Sequence, residues 1–290
     1  MGFLMKKRWQ RRHLVEAFMK FIMRVSLVIV TGTLGLILWI IVVRGLPALS
    51  WDMITKIPQG GYYMGKGGGI LNAILGSSYL AIGGTFLAML FSVPIALYLN
   101  TYLGNSKWGQ YVRLSLDVLW GIPSIVYGAF GFTLMIAIGM RASLLAGIIV
   151  LALIEFPIMA RAMDEVIRRM PKELEHAALA IGSTKFEVAV RVVTRQMLPG
   201  ITTAVLLGFG RGIGDAAAVL FTAGYTDRIP TSLMRPTASL PLAVFFQLGS
   251  PYPEVQQRGY AAALILTIIV LAVSLGSRWL SAKLDKYTIK

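Results

Sequence analysis

Long apolar stretches alternate with short polar segments along this chain. Six stretches come close to or exceed the roughly 20 residues that a helix needs to cross a hydrocarbon core of about 30 Å. They lie near residues 25–43, 71–99, 114–138, 143–160, 198–223 and 259–280. None of them alternates apolar and polar residues as the strands of an outer-membrane barrel do. The pattern therefore predicts an all-α, polytopic membrane protein with about six transmembrane helices.

The composition agrees with a membrane protein and excludes other classes. Of the 290 residues, 56% are hydrophobic and 14% are charged, whereas soluble domains carry about a quarter charged residues. A soluble globular enzyme and a disordered chain are therefore excluded. The chain contains no cysteine, so a disulfide scaffold, a thiolate metal site and a cysteine nucleophile are excluded as well. We expect no catalytic residue, no metal and no cofactor.

The positive charges fall on alternate sides of the predicted spans. A net charge of +15 would favour nucleic-acid binding only if the cations shared one folded face. Instead, 20 of the 28 Lys and Arg residues lie before residue 25, in 100–113, in 161–197 and after residue 277. Basic residues are retained on the cytoplasmic side of a membrane. Both termini and the 161–197 loop are therefore expected in the cytoplasm, and no nucleic-acid partner is expected.

Four ionisable residues interrupt the apolar runs: Asp117, Glu155, Arg211 and Asp215. A charge at the bilayer centre costs about 2.5–3.5 kcal/mol on insertion scales, so each should face a cavity or a partner. Arg211 and Asp215 are four residues apart, which places them on one face of the predicted fifth helix, among several glycines. The guanidinium either binds a tetrahedral oxyanion on a transport path or forms an internal ion pair that only fixes helix packing. We assign no ligand role to Asp117 or Glu155.

Arg161 closes the fourth apolar run at its cytoplasmic boundary. It is either a contact for an anion leaving on the inner side or an arginine that snorkels to the interface.

The 161–197 loop alternates acidic and basic residues and should form short helices. Pro171 and Gly182 divide it, which predicts one helix over 172–181 and another that begins after Ser183 or Thr184. The first of these helices carries an apolar stripe made of Leu174, Ala177, Ala178 and Ile181. Such a stripe on a charged cytoplasmic helix favours docking into a groove on a partner. The alternative is a solvated connection without a partner.

The loop carries a family resemblance. The segment Glu175-His176-Ala177-Ala178-Leu179-Ala180-Ile181-Gly182 resembles the EAA loop of ABC importer permeases, and Pro199-Gly200-Ile201 matches its later part. The resemblance implies that Glu175, His176, Ala177, Ala178 and Gly182 couple the chain to an ATPase subunit. His176 stands where the motif has its glutamate.

A wider resemblance covers about residues 67–271, which are similar to PstA-type permeases of the phosphate importer. The matching segments are Gly67–Ser77, Ile122–Gly128, Arg211–Asp215, Leu220–Ala223 and Ser239–Pro241. In that family, arginines matching Arg161 and Arg211 are linked to phosphate passage. The family's Glu-Thr-Ala-Pro run reads Asp215-Ala-Ala-Ala here, so permeases for molybdate, tungstate or sulfate remain alternatives.

The resemblance implies an ABC type I importer permease fold and a set of partners. These are a second, PstC-like permease, two PstB-like ATPase subunits and a PstS-like extracytoplasmic phosphate-binding protein, all at a prokaryotic cytoplasmic membrane. ATP hydrolysis would reside in the partner subunits, so this chain is not expected to be an enzyme. An ATP-independent secondary anion transporter is the less favoured alternative, because it would not need the docking loop.

Four segments follow from these expectations. Residues 1–24 form a basic cytoplasmic N-terminus, and residues 25–66 form an anchor helix with an external loop. Residues 67–283 form the importer transmembrane domain, with the coupling loop at 161–197, and residues 284–290 form a cytoplasmic tail.

One chemical difference bears on the choice of anion. Inorganic phosphate near pH 7 is a mixture of H₂PO₄⁻ and HPO₄²⁻, and both species still carry an O–H group. Sulfate and molybdate carry none. A carboxylate beside the arginine accepts a hydrogen bond from phosphate and repels a fully deprotonated oxyanion, so Asp215 favours phosphate.

Overall fold

The computed structural model describes residues 2–59 and 67–284. No β-strand occurs within these ranges, and twelve α-helices are present there. They are α1 (Gly2–Gly45), α2 (Trp51–Thr55), α3 (Leu71–Tyr98), α4 (Lys107–Gly121), α5 (Ser124–Ala137), α6 (Leu144–Arg168), α7 (Lys172–Ala180), α8 (Lys185–Glu187), α9 (Thr194–Gln196), α10 (Leu198–Ile213), α11 (Leu240–Leu248) and α12 (Pro253–Leu284). The expected all-α fold is confirmed.

Four single helices are long and apolar enough to cross a membrane. They cover Arg12–Ala48, Leu71–Leu103, Leu144–Arg168 and Pro253–Trp279. Two further spans are bent pairs: α4 with α5, at 95°, and the 185–196 segment with α10, at 75°. Counting each pair as one span gives six spans among the described residues, the predicted number; in the second pair only α10 falls in a predicted apolar run, because the 185–196 arm lies in the 161–197 loop. The predicted tail lies outside the described residues after Leu284.

Proline breaks the third predicted span. Ile122 adopts an extended conformation (φ −72°, ψ 130°) because the Pro123 ring excludes the helical region for the residue before it. Helix α4 therefore ends at Gly121 and α5 begins at Ser124. The amphipathic α4 and the apolar α5 meet at a right angle instead of forming one rod.

The prediction of one helix across 198–223 is wrong beyond Ile213. Helix α10 ends there, at the glycine-dense sequence Gly210-Arg211-Gly212-Ile213-Gly214, and residues 214–223 form irregular turns. Glycine lowers helix stability by about 1 kcal/mol per position relative to alanine, so this sequence is a weak place to continue a helix. Asp215 consequently lies just after α10 and not on its face.

Helix α6 forms the centre of the bundle. It packs against α3, α10, α4 and α5, and its Leu151, Met159 and Met163 side chains are almost fully buried. Close approach to α3 depends on small residues such as Gly84, where an added Cβ would lie 2.9 Å from the Cβ of Leu151. Long α1 packs mainly on α12 and leaves its apolar side chains exposed. The central position of α6 determines where its charged residues lie.

The 161–197 loop has the predicted helical divisions. Helix α6 continues through Arg161 to Arg168, so the first residues of the 161–197 segment are helical. Helix α7 then follows Pro171 and ends near Gly182, whose φ of +91° favours glycine. The next helix begins after Thr184, which forms a capping box with Glu187 as the spacing predicts.

Candidate anion site and cytoplasmic coupling surface

Arg211 and Asp215 form an ion pair at the end of α10. The distance from Arg211 NH2 to Asp215 Oδ2 is 3.3 Å, and the Asp215 side chain is 3% exposed whereas that of Arg211 is 51% exposed. The backbone N–H of Ala218 donates to Asp215 Oδ1 at 2.9 Å. The carboxylate is therefore held by the turn after α10, while the guanidinium presents part of its donor surface outward. This geometry can receive an oxyanion without first breaking the ion pair.

A buried carboxyl group lies directly behind this pair. Glu155 on α6 is fully buried, and the Thr85 hydroxyl of α3 donates to its Oε2 at 2.7 Å. Its Oε1 has no hydrogen-bond partner among the described residues and lies against Gly212 of α10. Glu155 thus joins three helices immediately beside Arg211. The sequence showed Glu155 only as an acid within an apolar run. Its contacts with α3 and α10 could not be predicted from the sequence.

Arg161 is held by two aspartates. Its Nε donates to Asp117 Oδ1 at 2.5 Å and its NH1 donates to Asp164 Oδ2 at 2.8 Å. The Arg161 side chain is 20% exposed, the Asp117 carboxylate is 45% exposed and Asp164 is fully buried. The structure therefore places Arg161 within helix α6 and in a charged cluster, and Asp117 is its partner from α4.

Asp164, which was not predicted as a site residue from the sequence, is the centre of this cluster. Arg113 of α4 donates to it from Nε at 2.9 Å and from NH2 at 3.0 Å, and Asn100 donates from Nδ2 at 2.9 Å. The NH1 of Arg113 donates to the carbonyl oxygen of Gly104 at 2.7 Å. Asp164 was assigned to the charged loop because the apolar run ends before it. Its partner is 51 residues away in sequence, where helical periodicity gives no signal.

The two charged clusters lie at different depths along α6. Arg161 follows Glu155 by six residues, which is about 9 Å along a helix axis. Arg211, Asp215 and Glu155 therefore form one level, and Arg161, Asp117, Asp164 and Arg113 form a second level toward the end of α6 that enters the 161–197 segment. Arg211 and Arg161 are not brought into one site.

The predicted apolar stripe on α7 is divided between two faces. Leu174 and Ala178 pack, together with Leu179, against the core that contains Met163 and Val188. Ala177 faces outward, and Ile181 is 85% exposed. The α7 surface available to a partner is therefore narrower than the stripe.

The remaining predicted coupling residues lie close to this exposed edge. His176 and Gly182 are exposed, whereas Glu175 is partly buried. Just after α7, Phe186 is also exposed. We use the term outer α7 edge for His176, Ala177, Ile181, Gly182 and Phe186.

The capping box keeps the chain after α7 in a defined turn. The pKa of Glu187 is lowered because its carboxylate accepts hydrogen bonds from the backbone N–H and the hydroxyl of Thr184 and lies near Arg191. Its negative charge is therefore stabilised at neutral pH. The turn holds Phe186 beside the end of α7.

Comparisons with known proteins agree with this architecture. The family described as binding-protein-dependent transport system inner membrane component matches residues 92–289. The phosphate transport system permease protein PstA of Xylella fastidiosa (strain 9a5c) is 36% identical over 242 residues, which cover 82% of each chain. The protein of the same name from Haemophilus influenzae is 31% identical over 270 residues, covering 93% of this chain and 94% of the other.

A solved structure shares the fold. A chain of the inward-facing MetNI methionine ABC transporter aligns with a TM-score of 0.60 and 17% sequence identity, covering 74% of this chain and 95% of the other. The match to the family model spans more than half of the chain. The chain therefore belongs to the family of binding-protein-dependent transport system inner membrane components: it is a multi-pass, non-enzymatic permease subunit of an ABC importer, which works with ATPase and substrate-binding partners.

Proposed function

We propose that this permease passes inorganic phosphate across the cytoplasmic membrane and that Arg211 is its principal anion contact. The observation that carries the proposal is the half-exposed Arg211 guanidinium paired with a buried Asp215 at a glycine-lined helix end. An exposed guanidinium offers a planar set of donors that matches two oxygens of a tetrahedral anion.

Asp215 is proposed to select for an anion that still carries a proton. Its oxygens accept from Ala218 and face Arg211, and an ionised carboxylate retains further lone pairs for another donor. The O–H of hydrogen phosphate supplies that donor. Sulfate and molybdate lack it and meet only the negative charge. The PstA relatives are named for phosphate transport, which supports the same choice.

Arg161 is proposed to meet the anion later, at the inner exit. In the described arrangement it is bound to Asp117 and Asp164. The Asp117 carboxylate is the more exposed of the two partners, so it is the one that can yield to an incoming anion while Asp164 stays in place. Arg161 then exchanges one carboxylate for the anion without becoming an unpaired buried charge.

The outer α7 edge is proposed to dock on an ATPase subunit. Its exposed apolar side chains, Ile181 and Phe186, are flanked by polar neighbours, as in a helix that fits a groove. The expected assembly contains two PstB-like ATPases, a PstC-like second permease and a PstS-like binding protein. The positive-inside distribution supports a cytoplasmic position for both termini and α7.

The deciding experiment compares Asp215→Asn with the unchanged chain in the complete, reconstituted importer. The amide keeps the shape but can donate to sulfate, so we expect phosphate uptake to fall at least about tenfold and sulfate uptake to rise. Tenfold corresponds to about 1.4 kcal/mol, close to the lower limit of about 1.5 kcal/mol for a hydrogen bond to a charged group. Unchanged phosphate uptake together with unchanged sulfate uptake would remove the proposed role of Asp215.

One observation favours a second candidate, a permease for another oxyanion. The positions after Asp215 are Ala216, Ala217 and Ala218, so the Thr hydroxyl and the Pro of the phosphate family's run are missing. If sulfate or molybdate enters the reconstituted importer faster than phosphate, this second candidate is correct.

A further inference from the structure

A cavity lies beneath α7 and is not part of the anion site described above. Its volume is about 530 Å³; it is partly open and is lined by the end of α6, by α7 and α8, by the connection that follows α3 and by Arg113 of α4. Helix α7 lines it with Lys172, Glu175, His176 and Leu179. These residues follow the spacing of a single helical face. Ala177 and Ile181 of the outer α7 edge lie off this face, whereas His176 belongs to both surfaces.

Three helices each contribute an unpaired cation to this cavity. Arg168 comes from α6, Lys172 from α7 and Lys185 from α8. Across residues 12–59 and 67–279, no carboxylate lies within 4 Å of any of these three side chains. The lining therefore has an excess of positive charge, with Glu175 as its acidic member.

Three neighbouring acids already have partners among the described residues, whereas Glu173 and Glu175 of α7 form no ion pair there. Glu165 pairs with Arg169 at 3.0 Å, and Glu187 lies 3.8 Å from Arg191. The carboxylate of Asp164 is occupied by Arg113 and Arg161. Arg169 and Arg191 do not line the cavity, and Arg113, which does, is held by Asp164 and by the carbonyl oxygen of Gly104. The lining thus contains four basic side chains and one acidic side chain, Glu175.

The lining chemistry matches a phosphoryl group. Guanidinium and ammonium donors bind phosphate oxygens through charge-assisted hydrogen bonds, and Asn100, Thr101 and Asn105 add polar groups. The volume falls within the range of about 300–1,000 Å³ that small-molecule sites occupy. Ile167, Met170 and Val193 form an apolar wall, which leaves space for more than a bare phosphate ion.

We propose that this cavity binds a phosphoryl group presented from the cytoplasmic side, either as inorganic phosphate or as the head group of an anionic phospholipid. A ligand that contacts Arg168, Lys172 and Lys185 together ties α7 and α8 to the end of α6. Since the outer α7 edge is the proposed ATPase contact, occupancy would restrain the element that transmits coupling. This regulatory consequence rests on the proposed function and on the predicted orientation, whereas binding itself does not.

The test measures binding of radiolabelled inorganic phosphate to the permease–ATPase complex in nanodiscs of phosphatidylcholine, without nucleotide and without the extracytoplasmic binding protein, which would itself bind the label. The importer carries Arg211→Gln, so the proposed transport site no longer contributes. We expect saturable binding that weakens at least about tenfold when Arg168→Gln and Lys185→Gln are added, because each removes a charge-assisted contact. The matched control is Arg169→Gln with Arg191→Gln, which removes the same charge outside the cavity and should leave affinity unchanged.

A lipid arm distinguishes the two sources of the phosphoryl group. In nanodiscs that contain phosphatidylglycerol, displacement of labelled phosphate identifies the lipid head group as the occupant, and undiminished binding identifies free phosphate. Absence of saturable binding, or equal loss in the control pair, would overturn the proposal. Both variants should unfold with a defined midpoint, which shows that they are folded. Phosphate should raise the midpoint of the control variant but not that of the cavity variant. Failure of the proposed transport function would appear separately, as phosphate uptake that does not depend on Arg211.

Discussion

Oε1 of Glu155 occupies the space that a side chain at position 212 would need. A Cβ built on Gly212 overlaps this oxygen, and Gly212 directly follows Arg211 on α10. The fully buried carboxyl group therefore approaches the anion site only because position 212 has no side chain. Gly212 on α10 and Glu155 on α6 therefore depend on each other for close packing of the two helices.

Gly212→Ala is expected to destabilise the permease. The new methyl group must displace Glu155 or move α10 away from α6, and such overpacking typically costs about 1–3 kcal/mol. Gly210→Ala is the matched control, because nothing lies within 4 Å of a Cβ at that position. The unfolding midpoints of the two purified variants should differ, with Gly212→Ala lower. Equal midpoints would show that α6 and α10 do not pack as described.

Asp164→Asn is expected to lower the stability of the folded permease more than Asp117→Asn does. Asp164 is fully buried and receives Arg113 and Arg161, so its loss leaves two cations with reduced compensation. Removing one member of a buried ion pair typically costs about 3–5 kcal/mol. The Asp117 carboxylate is partly exposed, and water can replace it.

Thermal unfolding in detergent provides the comparison. The unfolding midpoint of Asp164→Asn should be clearly lower than that of Asp117→Asn. The reverse order would mean that Asp117, and not Asp164, holds the end of α6 against α4.

Ile181→Glu is expected to weaken binding of the ATPase subunits while leaving the permease folded. Ile181 is 85% exposed, so the charge costs little in the isolated chain but would be buried in a docked apolar contact. Leu233→Glu is the control, since Leu233 is also exposed but lies in the connection on the opposite side of the predicted membrane. Co-purification of ATPase subunits should fall for position 181 alone. Full retention in both variants would argue against the outer α7 edge as the docking surface.

The apolar pattern predicted the membrane spans well because burial in lipid or core leaves a continuous local signal. The same kind of local chemistry identified the break at Pro123, the turn at Gly182 and the cap at Thr184. The end of α10 was missed because hydropathy continues through 214–223 after the helix has stopped. Hydropathy reports an apolar environment, and irregular backbone is possible there when its polar groups find partners within the protein.

The candidate site was only partly visible in the sequence. Arg211 and Asp215 are close in sequence and could be paired by spacing, even though the intervening backbone is not a complete helical turn. The partners of Glu155 and Asp164 come from other helices. No periodicity within one segment can show such contacts, because they depend on how the helices pack.

Anion competition in the reconstituted importer shows whether the permease selects phosphate and whether Arg211 is needed for its passage. The complete importer is reconstituted with its binding protein and ATPases, and uptake of labelled phosphate is measured against unlabelled phosphate, arsenate, sulfate and molybdate. We predict competition by phosphate and by arsenate, which also keeps an O–H group, little competition by sulfate or molybdate, and loss of ATP-driven uptake in Arg211→Gln. Equal competition by sulfate, or undiminished phosphate uptake in Arg211→Gln, would contradict the account.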